Sequence, residues 1–172
     1  MPPAARRTAL LFFGLAACVD GDKGGDSGAT AASGDMAQAF VDAHNAVREG
    51  VGVPALSWSD ALGRSAGVWA QALADNDCAF EHDTQQEYGE NLWWSSWDPT
   101  ADEVVGAWAD EVAFYDYDSN TCEQGQMCGH YTQVVWSTTE RVGCGKAVCA
   151  GGEVIWNCRY DPPGNWVGER PY

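Results

Sequence analysis

Basic residues are scarce in this 172-residue chain, in which nine lysines and arginines stand against 25 aspartates and glutamates. The formal net charge at pH 7 is −16. A surface of this charge repels phosphate backbones and anionic lipid headgroups, because all of them carry the same sign. We therefore expect no nucleic-acid partner, and any contact with lipid should be apolar rather than electrostatic.

The chain also lacks an apolar run long enough to cross a bilayer as a helix. Its N-terminal apolar stretch, from Thr8 to Ala17, is too short for that and follows the basic pair Arg6 and Arg7. A basic segment followed by a short apolar one is typical of a secretory signal peptide. We assign residues 1–17 to such a peptide and expect the protein to be exported.

Seven cysteines leave one unpaired if the others form three disulfides, and Cys18 is the one that stands apart. The segment Leu15-Ala16-Ala17-Cys18 resembles the lipobox of bacterial lipoproteins, where cleavage precedes a cysteine that then carries the lipid. We interpret Cys18 as a lipidated N-terminus on the bacterial cell envelope, and this anchor as the only link to a membrane. The alternative is ordinary cleavage after Ala17, with Cys18 incidental and the protein secreted.

The segment after Cys18 has almost nothing to bury. From Val19 to about Asp35 it consists mainly of Gly, Ala, Ser, Asp and Thr. Such a composition is typical of a flexible tether. We therefore assign residues 18–37 to the lipidated cysteine and a flexible linker.

Apolar spacing predicts three helices and four strands in the single domain that remains. The predicted helices span 36–47, 59–74 and 100–115, with capping boxes at Ser57/Asp60 and Thr100/Glu103. The predicted strands span 87–95, 131–136, 141–148 and 154–160, the last two joined by a hairpin turn. Helices before, between and beside strands indicate an α+β fold, a three-layer α-β-α sandwich.

Two histidines and two glutamates lie in stretches rich in aromatic residues: His82, Glu90, Glu111 and His130. Glu111 follows Trp108 on the third predicted helix, beside or at the edge of an apolar stripe, where a carboxylate is costly unless paired or bound. If the fold gathers all four, their donor atoms suit Zn²⁺ and, less well, Mg²⁺. The alternative is a core network of glutamate–histidine hydrogen bonds that anchors the loops.

Five motifs, in this order, resemble those of the CAP superfamily, which includes cysteine-rich secretory proteins, venom antigen 5 and plant pathogenesis-related class-one proteins. The motifs are HNAVR (44–48), YGENLWW (88–94), CGHYTQVVW (128–136), RVGCGKAVC (141–149) and NCRYDPPGNWVGERPY (157–172). The plant group is the most similar, down to YDSNTC (117–122) and the final GNWVGERPY. The resemblance covers residues 38–172, which we assign to a CAP domain.

The resemblance implies a disulfide-stabilised α-β-α sandwich with a central cleft that carries His82, Glu90, Glu111 and His130. It implies that His44, in the HNAVR motif, is structural. Spacing alone leaves the cysteine pairing open, because six cysteines allow fifteen pairings. The resemblance implies the pairs Cys78–Cys149, Cys122–Cys128 and Cys144–Cys158.

For function, the resemblance implies a non-catalytic exported protein whose cleft binds a divalent metal, Zn²⁺ or Mg²⁺, and a small apolar or lipid-like ligand. The alternative is a metal-dependent hydrolase or peptidase that uses the same four residues, with a glutamate as the base for a metal-bound water. Against it, the sequence contains neither an HExxH nor a GxSxG motif. The residues indicate neither the natural ligand nor the oligomeric state.

Overall fold

The computed structural model describes residues 30–32, 34–85 and 87–172, so the predicted signal peptide and the predicted lipidation site Cys18 lie outside the described residues. No helix in these ranges is long and apolar enough to cross a membrane. The helices are α1 (Asp35–Val51), α2 (Asp60–Asp75), α3 (Ala101–Asp110) and α4 (Gly129–Val134). The strands are β1 (Thr30–Ala31), β2 (Ser57–Trp58), β3 (Gly89–Ser95), β4 (Tyr115–Asp116), β5 (Thr121–Cys122), β6 (Arg141–Val148) and β7 (Val154–Asp161).

One antiparallel path orders the main sheet as β1, β6, β7 and β3, with β2 pairing in parallel with β6. The predicted hairpin is present, since β6 and β7 pair along their whole lengths and place Cys144 opposite Cys158. Strand β7 lies between β6 and β3, and residues 154–160 of it are all buried. Strand β3 ends the path, so its outer edge pairs with no other strand of the described residues.

The sheet is covered on both faces, which gives the predicted three-layer α-β-α sandwich. Helix α2 covers one face with Ala70, Leu73 and neighbours, which pack on Leu92 and Ile155 of the sheet. On the other face, α1, α3 and α4 pack around Trp156, and their buried members include Phe40, Trp108 and Tyr131. Both clusters exclude water from large apolar side chains, which is the main source of stability in such a domain.

Two glycines of β6 let α2 approach the sheet closely. A Cβ placed on Gly145 would lie 2.5 Å from the backbone nitrogen of Gly67 and 2.6 Å from its Cα. Gly143 meets the backbone of Gly63 in the same way. Because backbone atoms cannot rotate away, only glycine fits at these two positions of the sheet.

Three disulfides join the six cysteines of the described domain in the pairing that the resemblance implies. They are Cys78–Cys149, Cys122–Cys128 and Cys144–Cys158. The first connects the loop after α2 to the β6–β7 turn, and the third connects the two strands of the hairpin. The first therefore fixes the β6–β7 turn next to α2, and the third lies on the opposite face of the sheet, in the cluster around Trp156.

Several predicted boundaries need correction. The linker assigned to residues 18–37 is too long, because Thr30–Ala31 forms β1 against β6 and α1 begins at Asp35. The cap of α2 is Ser59, whose side chain accepts the N–H of Leu62, and the predicted Ser57/Asp60 box is wrong. The Thr100/Glu103 capping box is confirmed, but α3 ends at Asp110 and continues as a 3₁₀ turn over Glu111–Phe114.

The largest correction concerns the predicted strand at 131–136, where the structure instead has α4. The β-branched and aromatic residues of this segment face the core rather than a neighbouring strand: Tyr131, Val134 and Val135 are all buried. Arg48 holds the end of the helix, since its guanidinium donates to the carbonyl groups of Val134 and Trp136 at 2.8 and 2.9 Å. Tertiary contacts therefore outweigh the local strand propensity.

Candidate functional site

Glu111 and His130 form one tightly held pair on the helical side of the cleft. The Nδ1 atom of His130 lies 2.6 Å from Oε1 of Glu111. The other carboxylate oxygen of Glu111 accepts the backbone N–H groups of His130 and Tyr131, at 3.0 and 3.1 Å. Glu111 thus binds the first turn of α4 and the ring of His130 together, which fixes the direction of that ring.

Trp108 packs against the imidazole ring of this pair. Its indole ring stacks on the imidazole of His130, with ring centroids 6.1 Å apart and an angle of 20° between the planes. The indole N–H donates to the carbonyl of Leu92 on β3 at 3.1 Å. Two layers of the fold therefore set the position of His130, whose side chain keeps 18% of its surface exposed.

His82 and Glu90 form a second pair at the edge of the sheet. The Nδ1 atom of His82 lies 2.8 Å from Oε1 of Glu90, which also accepts the backbone N–H of Asp83. The second oxygen of Glu90 accepts from the side-chain amide of Asn157 at 2.9 Å. Glu90 is nearly buried, whereas 58% of the His82 side chain is exposed, so His82 is the solvent-facing member.

A buried ion pair anchors the loop that carries His82. The guanidinium of Arg159 on β7 donates to Asp83 at 2.6 Å and to the Ser65 hydroxyl of α2 at 2.6 Å. A carboxylate oxygen of Glu90 is 3.9 Å from the same guanidinium. The cluster places two carboxylates against Arg159, which offsets the cost of burying each charge.

The hydrogen bond to Glu90 raises the pKa of His82 above its usual value, and partial burial opposes this shift. A histidine whose pKa is raised in the folded state favours folding when it is protonated. This contribution is complete below the unfolded pKa, near 6.5, and is lost as the pH rises through the folded pKa. Because His82 is largely exposed, the solvent-screened contribution to stability is small.

The two pairs lie on opposite faces of β3. Successive residues of a strand point to opposite sides, so Glu90 faces the α2 layer and Asn91 faces the α3–α4 layer. The contacts agree: Glu90 lies near Arg159, which binds α2, and the Asn91 amide donates to the carbonyl of His130 at 3.1 Å. The structure therefore gathers the predicted residues as two His–Glu pairs, one on each side of the edge strand β3, whose rings can share an ion only across the free edge of that strand.

Both imidazole rings are held in the same manner. Each Nδ1 is bound to a carboxylate, and within the described ranges neither Nε2 takes part in a hydrogen bond. In this part of the chain, no three of these four residues have ligand atoms that all lie within 4.8 Å of one another. The arrangement is two oriented imidazoles with their Nε2 atoms available to a further partner.

A cleft of about 720 Å³ adjoins the Glu111–His130 pair. Its walls include Leu92, Trp93 and Trp108, with Glu111 and His130 at one end. The volume is in the range of small-molecule sites, and the lining is mostly apolar with a few polar groups, as is common for such sites. His82 and Glu90 are not among the described residues that line this cleft.

One cluster of metal-ligand type lies elsewhere, where Cys78, Cys149 and Glu153 have donor atoms within 4.8 Å of one another. The two sulfur atoms form a disulfide, so neither is available as a thiolate ligand. Thiolates rather than disulfide sulfurs bind zinc. This cluster is therefore structural in the oxidised protein.

His44 lies in the core, as the resemblance implied. Its ring is completely buried, with Nδ1 2.7 Å from the carbonyl of Phe40 and Nε2 2.8 Å from the hydroxyl of Tyr160. Burial lowers the pKa of His44 to about 4, so the ring is neutral at pH 7. A neutral ring that donates from Nδ1 and accepts at Nε2 satisfies both contacts.

Sequence reasoning missed two buried arginines that organise the site. Arg48 ties α1 to the end of α4, and Arg159 ties the sheet to the loop of His82. A usable signal was present for Arg159, because it is the one charged residue of the predicted strand 154–160, VIWNCRY. A charge at such a position needs a buried partner, which here is Asp83.

Comparisons with known proteins agree with this architecture. The sequence profile of the CAP family, described as the cysteine-rich secretory protein family, matches residues 41–160. Pathogenesis-related protein 1A of Nicotiana tabacum is 51% identical over 136 residues, which cover 78% of this chain and 80% of the tobacco protein.

Two solved structures share the fold. The crystal structure of NaASP2 with Zn²⁺ has a TM-score of 0.67 at 24% identity, covering 81% of this chain and 86% of the other. Venom allergen-like protein 4 of Schistosoma mansoni has a TM-score of 0.64 at 26% identity, covering 81% and 95%. With the family profile matched over most of its domain and a relative at half identity, this chain belongs to the CAP family of cysteine-rich secretory proteins.

Proposed function

We propose that this protein is an exported, non-catalytic binding protein whose His82 and His130 hold a divalent cation beside a cleft for a small apolar ligand. The main support for the proposal is that the two rings are held in the same way. Each Nδ1 is held by a glutamate, at 2.8 Å for His82 and 2.6 Å for His130. Each Nε2 is left for a ligand.

Metal-binding histidines usually donate their second ring N–H to a carboxylate or carbonyl, which fixes the tautomer and raises the basicity of the ligating nitrogen. Glu90 and Glu111 are placed to do this for His82 and His130. Imidazole nitrogens favour Zn²⁺ over Mg²⁺, which prefers oxygen ligands. That the related structure of NaASP2 was determined with Zn²⁺ supports this choice.

The cleft next to His130 supports an apolar ligand. Leu92, Trp93 and Trp108 offer aromatic and aliphatic surface, and Glu111 and His130 provide the polar end. A ligand with an apolar body and one polar group would bury its body against these walls. The net charge of −16 opposes an acidic ligand at long range.

Export and anchoring complete the proposal. Residues 1–17 act as a signal peptide, and Cys18 is lipidated, which places the domain on the envelope at the end of a short tether. The lipobox-like sequence before Cys18 supports this. Cys18→Ser should release the protein from the membrane fraction, because it removes the residue that would carry the acyl chains of the anchor. An unmodified N-terminus at Cys18 on freely soluble native protein would refute the anchor.

Calorimetric titration of Zn²⁺ into chelator-treated protein tests the metal site. We expect binding at pH 7 that is lost in His82→Ala and in His130→Ala and weakened in Glu90→Gln and Glu111→Gln. Affinity should also fall as the pH drops through the imidazole range, roughly 6–7, because the ligands must be neutral. The exposed Glu49→Gln is the control and should bind like the wild type.

Two results would contradict the proposed metal site. One is wild-type protein that takes up no Zn²⁺ at neutral pH. The other is a His82→Ala variant that binds Zn²⁺ normally but melts at a lower temperature. In either case the two pairs serve as a core network that anchors the loop and α4.

A further inference from the structure

The outer part of the cleft differs in character from the end that holds His130. We call it the outer cleft and define it by Asp77, Phe80, Trp94 and Glu153, all of which line the 720 Å³ cavity. Asp77 and Glu153 also line an adjoining cavity of about 640 Å³ on the α2 side. The two carboxylates therefore lie at the boundary that the two cavities share.

The electrostatic field at this boundary is negative from three sources. Within the described ranges, Asp77 and Glu153 have no hydrogen-bonding or ion-pairing partner for their side chains. Asp77 comes two residues after the last residue of α2, and the C-terminus of a helix carries a partial negative charge. Asp75, in the last turn, adds a further carboxylate where helices usually carry a basic residue.

No basic side chain offsets this field. The described residues that line the two cavities include no lysine or arginine. Lys146 and Arg159 are paired with other carboxylates, Asp98 and Asp83 respectively. The outer cleft is therefore a place where a cation is favoured and an anion is repelled.

The same cleft exposes aromatic surface. Phe80 and Trp94 remain 56% and 46% exposed, large fractions for side chains of this size. Aromatic faces attract cations, and the attraction is strongest for tryptophan. Exposed aromatic rings beside unpartnered carboxylates form the combination that recognises an organic cation, whose charge is spread over an apolar group.

A bare metal ion fits this place less well. In the described part of the chain, no three acidic residues bring ligand atoms within 4.8 Å of one another, and the one qualifying group there includes the sulfurs of a disulfide. We propose that the outer cleft binds a small alkylammonium ion, with its charged head between Asp77, Glu153 and Trp94 and its apolar chain toward Leu92 and Trp108. This inference rests on the proposed binding function and names the class of its ligand.

Calorimetric titration with three probes of equal chain length tests the assignment at low ionic strength. The probes are hexyltrimethylammonium, hexan-1-ol and hexanesulfonate. We expect the cation to bind about tenfold more tightly than the alcohol and the sulfonate to bind more weakly than both, since cation–π and charge attraction act on the cation alone. Added salt should weaken the binding of the cation and leave that of the alcohol unchanged.

Three variants locate the site. Asp77→Asn, Glu153→Gln and Trp94→Leu should each weaken binding of the cation by roughly three- to tenfold, since each removes one attractive partner. Asparagine is the suitable replacement at Asp77, whose φ of 52° lies in the left-handed region that asparagine tolerates. Glu49→Gln removes a charge far from the cleft and should leave the affinity unchanged.

The outcomes distinguish a failure of the alkylammonium site from a failure of the proposed metal site. Equal affinity for all three probes overturns the alkylammonium site and leaves an unselective apolar cleft. A loss as large in Glu49→Gln as in Glu153→Gln also overturns it, because net charge rather than this site would then control binding. Titration of Zn²⁺ into the Asp77 and Glu153 variants should match the wild type, so failure of the metal site shows up independently.

Discussion

The pKa values of His44 and His82 are shifted in opposite directions. His44 is completely enclosed and its pKa is lowered to about 4, whereas the carboxylate of Glu90 raises the pKa of His82. A histidine with a lowered folded pKa destabilises the fold wherever the unfolded chain is protonated and the native ring is not. For His44 this window runs from about 6.5 down to about 4.

We therefore predict that acidification from pH 7 to pH 5 lowers the free energy of unfolding by on the order of 2 kcal/mol through His44 alone. Urea unfolding at several pH values measures this loss, and NMR titration of the ring assigns it. The His82→Gln variant should keep the loss, since its exposed pair contributes little. A His44 ring that titrates near pH 6.5 in the native state would contradict the prediction.

The residues of the candidate site could be named from the sequence, but their grouping could not. Glu90 and His130 lie within the motifs YGENLWW and CGHYTQVVW, and the resemblance places His82 before the first of these motifs and Glu111 after Trp108. That Glu90 and Asn91 point to opposite faces of an edge strand depends on the order of strands in the sheet, which no local pattern reveals. The partner of Arg159 could not be named for the same reason, because Asp83 lies 76 residues away along the chain.

At the scale of elements, long segments with a clear period were predictable and short ones were not. Helix α2 and the β6–β7 hairpin follow from the apolar period and the turn residues. Helix α4 has only six residues, and two of its N–H groups, those of His130 and Tyr131, are satisfied by Glu111 from another element. A helix this short gains too little from its own hydrogen bonds to form alone, so its stability comes from packing.

The close packing of α2 on β6 leads to a prediction at this scale. Gly145→Ala should destabilise the protein by about 3 kcal/mol, because the new Cβ would meet the backbone of Gly67 at 2.5 Å and that backbone cannot rotate away. Gly106→Ala on α3 is the matched control, since nothing lies within 4 Å of a Cβ there. It should stabilise the helix by about 0.5–1 kcal/mol. Thermal unfolding of both variants gives the comparison, and equal effects of the same sign would rule out this account of the packing.

At the scale of the whole molecule, the disulfides differ in how much of the chain they constrain. Cys78 and Cys149 are separated by 71 residues, whereas Cys122 and Cys128 are separated by six. Chain entropy predicts that removal of the longer bridge costs about 4 kcal/mol and removal of the shorter one about 2 kcal/mol. Paired Cys→Ser variants in urea unfolding measure both costs. A shorter bridge that matters more would show that native-state contacts, rather than chain entropy, set the order.

The family could be predicted because several of its motifs occur together over most of the domain. The order of layers and the disulfide pairing were then implied by that resemblance. The volume and the lining of the cleft could not be predicted. They depend on how the loop of His82 and the helices of the other face meet around β3. The charge of its outer part was visible in the sequence only as a general acidic excess. Its meaning depends on which carboxylates remain unpaired after folding.

In the proposed metal site, His82 and His130 bind one divalent cation through Nε2 while Glu90 and Glu111 hold Nδ1. Long-range ¹H–¹⁵N NMR of the histidine rings, recorded during titration of Zn²⁺ at pH 7, observes these nitrogens directly. We expect the Nε2 signals of His82 and His130 to shift together and saturate at one equivalent, while both Nδ1 atoms stay protonated and the His44 ring does not change. Ring signals of His82 and His130 that remain unchanged at saturating Zn²⁺, or a shift of only one of the two, would contradict the claim.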